Sequence, residues 1–361
     1  MKQIGTQILF LIFISFIFSC NNAPSSREES TQKGKSKTLK ILCWEGYSSD
    51  KFSDVFEAQT GIKVNLTTFN SAEKLSEKLT KGTFDVVTVS SDMAQALVER
   101  ELVQPIDLKH ITHYDSLSDI LRAMQDVVKN GATYGVPFTW GPDYLLYNAD
   151  FVKNEPTSWN ELFDPKYKGK VSIWDDASSI SWASVLNGNA DGNKAQIYNL
   201  NDQQMEAAKK TLLTLKPSIY KYWTSLTDLT NLMRSKEVVM AQGPQFPVVA
   251  LRKEGLNIKS VIPSEGATGW IDRLMIPKNA ANKELAEMWI DYITKAENMA
   301  VVSQITGYCV SNTHAVRYLS PEQLKISQMD IAQNIFIKLH FWQYASNRKK
   351  YKAIWEEVKG K

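Results

Sequence analysis

Cysteine and histidine are scarce in this chain, with three Cys and four His in 361 residues. Cys20, Cys43 and Cys309 form no Cys-x-x-Cys pair and no disulfide framework. In an oxidising compartment Cys43 and Cys309 either pair or remain two separate buried thiols, and the spacing leaves both open. Among the histidines only His110 and His113 lie close together, and no acidic or Cys ligand completes a metal set around them. Gly-x-Ser-x-Gly, His-Glu-x-x-His and a phosphate-cradling glycine loop are all missing, which argues against an enzyme and against a cofactor. An excess of one charge is missing too. The 42 basic and 39 acidic residues leave a net charge of +3, with no dense basic patch to suggest nucleic acid.

Long apolar runs are absent except for one. Lys2 precedes an uncharged stretch from Ile8 to Phe18, broken only by Ser15. It is shorter than the ~20 residues a spanning helix needs, so it reads as an export signal. The run ends in Ile17-Phe18-Ser19-Cys20, which resembles a lipobox despite the bulky Phe18. Residues 1–19 are therefore expected to be a lipoprotein signal peptide, with Cys20 acylated as the mature N-terminus. Asn21 to Thr38 is polar and almost free of apolar residues, the composition of a flexible tether over residues 20–38. The expected location is the periplasm or cell surface, held to a membrane by lipid.

What remains, residues 39–361, is too long for one compact core and calls for two lobes. Lys40–Trp44, Lys63–Thr67 and Asp85–Val89 read as strands, and helical spacing follows each of them. Ser48–Gln59 reads as a helix closed by Gly61. Asn70 with Glu73 suggests a capping box, and Ser90 or Ser91 a further cap. Later strands are expected at Lys170–Trp174, Val238–Gln242 and Arg273–Ile276. Helices are expected at Gln203–Leu215, Leu226–Arg234, Lys283–Thr294 and Lys349–Lys359. This alternation predicts an α/β fold with a mostly parallel sheet in each lobe, flanked by helices. Ligands of such sheets bind beyond the C-terminal strand ends, which directs attention to Trp44–Ser48 and Ser90–Asp92. Further on, the strand Lys170–Trp174 runs into Asp175 and Asp176, Val238–Gln242 runs into Gly243 and Pro244, and Trp270–Asp272 leads into Arg273–Ile276.

Several segments, taken in order, resemble the spermidine/putrescine-binding protein family. They are Lys-Ile-Leu-Cys-Trp-Glu-Gly-Tyr at 40–47, Phe-Glu-Ala-Gln-Thr-Gly-Ile-Lys-Val at 56–64 and Asp-Val-Val-Thr-Val-Ser at 85–90. Val-Pro-Phe-Thr-Trp-Gly at 136–141 and Ser-Trp-Asn-Glu-Leu-Phe-Asp-Pro-Lys-Tyr-Lys-Gly-Lys-Val at 158–171 continue the series. Glu-Val-Val-Met-Ala-Gln-Gly at 237–243, Gly-Trp-Ile-Asp-Arg-Leu at 269–274 and Phe-Trp-Gln at 341–343 complete it. The resemblance implies a two-lobed periplasmic-binding-protein fold with the ligand in the cleft between lobes. Lobe 1 would be 39–138 with 272–317, and lobe 2 would be 139–271 with 318–361. It also implies a monomer that delivers a polyamine to ABC permease subunits driven by a cytoplasmic ATPase.

By the same resemblance, Trp44 and Tyr47 would stack on the ligand chain, and Asp176 and Asp272 would pair its ammonium groups, with Trp270 beside Asp272. Gln343 and Ser90 would make polar contacts. Aromatic faces and carboxylates suit such a ligand because a buried ammonium without a partner is very costly. Asp176 or its neighbour Asp175 also fits a helix cap. Three positions depart from the family. Asp92 replaces an aromatic residue, and it either supplies a negative charge or simply favours a helix N-terminus. Ser179 replaces a carboxylate, and Pro244 replaces a Trp. These changes favour a diamine such as putrescine over spermidine. Another organic cation, an amino-acid derivative, a carboxylate, or a surface sensor without transport remain as alternatives.

Overall fold

A computed structural model describes residues 38–189 and 194–360. The signal segment, Cys20 and the tether up to residue 37 lie outside the described residues. Thr38, expected as the tether's last residue, already belongs to the first strand. Among the described residues no helix is long and apolar enough to cross a membrane.

The chain opens with β1 (Thr38–Trp44), β2 (Lys63–Phe69), β3 (Val86–Ser90) and the short β4 (Val103–Gln104). A small hairpin of β5 (Val128–Lys129) and β6 (Ala132–Thr133) leads into β7 (Gly135–Pro142) and β8 (Tyr144–Asn148). Then come β9 (Val171–Ser172), β10 (Met240–Gly243), β11 (Ile258–Val261) and the long β12 (Ala267–Pro277). β13 (Cys309–Val310) and β14 (Leu339–Phe341) are the last.

These strands build two sheets. The larger runs β13-β7-β12-β3-β1-β2, with β14 and β4 also paired to β12. The smaller runs β11-β8-β10-β9 and comes entirely from residues between Tyr144 and Val261. Each contains parallel pairs, such as β1 with β2 and β10 with β9. Neither is mostly parallel, which corrects the sequence-based expectation. β12 returns antiparallel to both β3 and β7, and β8 is antiparallel to both its neighbours, β10 and β11. Every residue of β12 is buried, so no polar/apolar alternation marks it in the sequence.

β12 changes partners along its length. Ala267–Gly269 pairs with β14, whereas Asp272–Met275 pairs with β3. Its register with β7 shifts between Ile271 and Arg273. The extra residue lies on β7, which takes three steps from Pro137 to Trp140 against two in β12, so the bulge bends β7 and leaves β12 alternating. Just past it, the fully buried Arg273 makes two bonds to Asp126, at 2.6 and 3.1 Å, and one to the Leu121 carbonyl at 3.1 Å. A charge buried this deeply requires such partners, and the fork locks the strand beside Asp272.

Helices fall close to the expected places, including Asp202–Leu215, Leu226–Arg234, Lys283–Ile293 and Arg348–Lys359. Two local readings need correction. The helix expected over Ser48–Gln59 is a short 3-10 turn at Asp50–Phe52 followed by a helix at Asp54–Thr60. Ser49 caps the turn, and the Ser53 hydroxyl bonds the Asp50 carbonyl, so small polar side chains break the run. Gly61 does end that helix in the left-handed conformation, at φ 69°. Asn70 does not cap the next helix. Ser71 accepts from the Lys74 amide, while Asn70 Nδ2 donates 3.2 Å to the Thr224 carbonyl. Cys43 and Cys309 are free, buried thiols, so they do not pair.

Candidate functional site

The C-terminal ends of β1 and β3 meet the middle of β12 at one place. There Tyr47 donates its hydroxyl hydrogen to Asp272 Oδ2 at 2.5 Å and also bonds the hydroxyl of Thr139 on β7. Asp272 pairs directly with Ser90 in the β12–β3 register. Gly141 pairs with Trp270, and a Cβ at Gly141 would lie 3.1 Å from the indole, so glycine there lets Trp270 lie flat against β7.

Two adjoining chambers open at this junction, sharing Trp44, Ser90, Trp174 and Trp342 in their walls. The larger, about 90 Å³, is lined by Tyr47, Asp143, Trp223, Trp270, Asp272 and Pro244 among others. The smaller, about 50 Å³, holds Asp92, Asp176, Gln343 and Arg348. All eight sequence-predicted contacts therefore line one chamber or the other. Trp44, Tyr47, Ser90, Trp270 and Asp272 face the larger one, and Asp92, Asp176 and Gln343 the smaller. Gln343 is exposed, at the rim.

The two chambers differ in charge. In the smaller, Asp92 accepts from Ser90 Oγ at 2.6 Å and faces the Arg348 guanidinium at 3.4 Å. Arg348 also acts electrostatically on Asp176. The Asp176 carboxyl is raised by burial, opposed by the Ser178 amide, at 2.8 Å, and by Arg348. Asp176 does not cap the helix that starts at Ser179: its N-cap is Ser178, without a side-chain cap bond, and Asp176 accepts from the Ser178 amide in the turn before it. Asp175 is engaged elsewhere, at 2.8 Å from both Trp355 Nε1 and Lys359 Nζ.

In the larger chamber the carboxylates have no cation. Burial pushes Asp272 up to about 7, the Tyr47 hydrogen bond opposes this, and the charge of Asp92 adds to it. The Trp44 indole lies near enough to moderate the shift, yet its nitrogen completes no hydrogen bond of good geometry. Asp143 is also buried and pushed up to about 7, against hydrogen bonds from the Thr268 hydroxyl, at 2.6 Å, and Trp342. Among the described residues neither aspartate forms an ion pair. Desolvation without a counter-charge favours the proton over ionisation.

The walls are aromatic. Trp342, Trp174 and Trp223 form a continuous stack, with centroids 5.7 and 5.5 Å apart and ring planes within 15°. Gln242 fixes two of them, accepting from the Trp174 amide at 3.1 Å and, through its carbonyl, from Trp223 Nε1 at 2.8 Å. Trp270 packs edge-on to Tyr308 at 4.6 Å. The two remaining departures from the family pattern acquire distinct roles. Ser179 faces neither chamber and donates to the Trp174 carbonyl at 3.0 Å, so it buttresses the stack. Pro244 lines the larger chamber.

Sequence reasoning missed Asp143, Trp174, Trp223, Trp342 and Arg348. Trp174 carried a usable signal, because it ends an expected strand just as Trp44 does. His110 has a structural partner, Glu287 at 2.7 Å, and no metal-ligand cluster occurs among the described residues.

An α/β body with an aromatic, acidic cleft at its strand ends has the architecture of a solute-binding protein. The chain belongs to the bacterial extracellular solute-binding proteins, whose family model matches residues 51–328. It is similar to the spermidine/putrescine-binding periplasmic protein of Escherichia coli, 29% identical over 290 residues, covering 79% of this chain and 80% of that one. It is also similar to a putrescine-binding periplasmic protein of the same organism, 28% identical with 81% and 82% covered. Among solved structures, a putative spermidine/putrescine ABC transporter protein from Listeria monocytogenes matches with a TM-score of 0.79 at 25% identity, covering 90% of this chain and 99% of that one. The two-lobed periplasmic-binding-protein fold expected from the sequence is the fold of this chain.

Proposed function

We propose that this chain is the solute-capturing subunit of an ABC importer and that its cargo is a polyamine, a diamine such as putrescine in preference to spermidine. The observation that carries this reading is Asp272, a buried carboxylate with no protein cation, set beside the indoles of Trp44 and Trp270 in one chamber. An alkylammonium supplies both the missing charge and an apolar chain for the indole faces, each such face contributing about 0.5–2 kcal/mol when desolvated. The names of the similar proteins support the same class of cargo. The partners are then a membrane permease pair and its cytoplasmic ATPase. Cys20 carries the lipid anchor, and replacing it with Ser should release the body from membranes.

Residues 39–138 with 272–317 would move as one lobe and 139–271 with 318–361 as the other. The change of partner along β12, from β14 at Gly269 to β3 at Asp272, supports a crossing there. Calorimetry on ligand-stripped protein tests the cargo. Putrescine should bind more tightly than spermidine, and the reverse order overturns the preference.

A further inference from the structure

Asp143 lies in none of the sequence motifs that suggest ligand contact, yet the fold sets it in register with them. Its amide donates to the Thr268 carbonyl at 2.8 Å, and its carboxylate accepts from the Thr268 hydroxyl at 2.6 Å. Thr268, Trp270 and Asp272 alternate along β12, so their side chains fall on one face of the strand. Down that face runs a carboxylate held by Thr268, then an indole, then a second carboxylate. Asp143, Trp270 and Asp272 all line the larger chamber.

Both aspartates are buried without a cation, whereas Asp92 and Asp176 in the smaller chamber already have Arg348. Among the described residues the buried carboxylates of the two chambers without a cation are therefore Asp143 and Asp272. Glu45, less buried, is held by the Leu226 amide and the Thr227 hydroxyl. Resting on the polyamine reading above, we propose that Asp143 is the second ligand-anchoring carboxylate and that its separation from Asp272 sets the length of the cargo.

The strand rise beside the two carboxylates is on the scale of a short diamine, taking Thr268, 2.6 Å from Asp143, to mark one end. Four residues of strand from Thr268 to Asp272 span roughly 13 Å. An extended four-carbon diamine has five backbone bonds of about 1.5 Å, placing its nitrogens roughly 6 Å apart in zigzag. Two charge-assisted contacts of about 2.8 Å, one at each end, bring the span to about 12 Å. A diamine of butane or pentane fills the run with its methylenes over Trp270. The third amine of spermidine extends past it, toward a chamber in which Arg348 is already the cation.

The test is calorimetry with the diamines of propane, butane, pentane and hexane, and with butylamine, on ligand-stripped wild type, Asp143→Asn and Asp176→Asn. Wild type should show its optimum at butane or pentane diamine. Asp143→Asn should lose about tenfold or more for that diamine, erase the length optimum and bind butylamine nearly as before. Asp176→Asn should keep the length optimum, whatever it costs in overall affinity. Thr268→Val, which removes only the hydroxyl that holds Asp143, should soften the optimum in the same direction and guards against misfolding of the first variant. An unchanged optimum in folded Asp143→Asn, with the loss appearing in Asp176→Asn, overturns the assignment while leaving the cargo class intact. Wild type that binds none of these amines overturns the polyamine reading and this anchor with it.

Discussion

The Tyr47 hydroxyl donates to Asp272 across 2.5 Å, tying the turn after the first strand to the long strand β12. The bond holds one oxygen of a carboxylate that has no cation of its own, and it helps to keep that carboxylate ionisable. Asp272→Asn should weaken cargo binding most among single variants, by about 1.5–3 kcal/mol, because the ammonium stays desolvated without its charged partner. Tyr47→Phe should cost less and act through Asp272, raising its apparent pKa in a pH titration of affinity. Equal affinity in wild type and Asp272→Asn would remove Asp272 from the site.

Binding should be coupled to proton release. Asp143 and Asp272 hold their protons up to about 7 in the ligand-free protein, compared with 3.8 for an ordinary aspartate. A raised folded-state pKa gives stability that is complete below 3.8 and is lost as pH rises through 7. Ligand-free protein should therefore gain a contribution to its melting temperature between pH 8 and pH 5, a contribution missing from the Asp143→Asn, Asp272→Asn double variant. A cationic ligand needs the ionised carboxylates, so its affinity should fall over the same interval. Near pH 6 the calorimetric binding enthalpy should vary with the ionisation enthalpy of the buffer. Identical enthalpies in phosphate and in a high-enthalpy amine buffer that is not itself a ligand would contradict the coupling.

Glu45 should act as a latch between the turn after the first strand and the helix Leu226–Arg234. It accepts from the Leu226 amide at 3.0 Å and the Thr227 hydroxyl at 2.6 Å, adding to the Ser225 cap at the start of that helix. A carboxylate at a helix N-terminus is favourable on charge grounds as well. Glu45→Gln should keep part of this contact, while Glu45→Ala should lose it, leaving only the Ser225 cap, and favour an opened form. Small-angle scattering should then show a larger radius of gyration for ligand-free Glu45→Ala, recovered at saturating cargo. An unchanged profile would reduce the contact to ordinary packing.

Much of this site was legible because strand ends are legible. Trp44 and Asp176 stand where an expected strand gives way to a loop, and the open-sheet rule points there. Asp272 was legible through the Gly-Trp-Ile-Asp-Arg-Leu resemblance instead, since it lies mid-strand in β12. Asp143 escaped because β7 passes almost directly into β8, through Trp140-Gly141-Pro142-Asp143-Tyr144, with no loop to mark a strand end. Trp223 and Arg348 became visible only through tertiary placement, one under Trp174 and the other beside Asp92. The parallel-sheet expectation failed for a related reason. A fully buried strand such as β12 reads the same in either direction, so only its partners show that it runs antiparallel to β3 and β7.

Arg348 should act as a built-in competitor for one cation position. Its guanidinium sits 3.4 Å from Asp92 and influences Asp176. Arg348→Met should free both carboxylates and improve spermidine relative to putrescine, by about tenfold, the scale of one charge-assisted contact. Competition between the two amines on the variant gives the ratio directly. A ratio equal to that of wild type would mean that the smaller chamber plays no part in selection.

The central claim is that the cleft holds a small cation with two separated amines. Mass spectrometry of the molecule released when protein purified from its native host is denatured tests this without a chosen panel. The account predicts a diamine of four or five carbons at close to one molecule per chain. An acidic or neutral solute in that place, at the same occupancy, would contradict it.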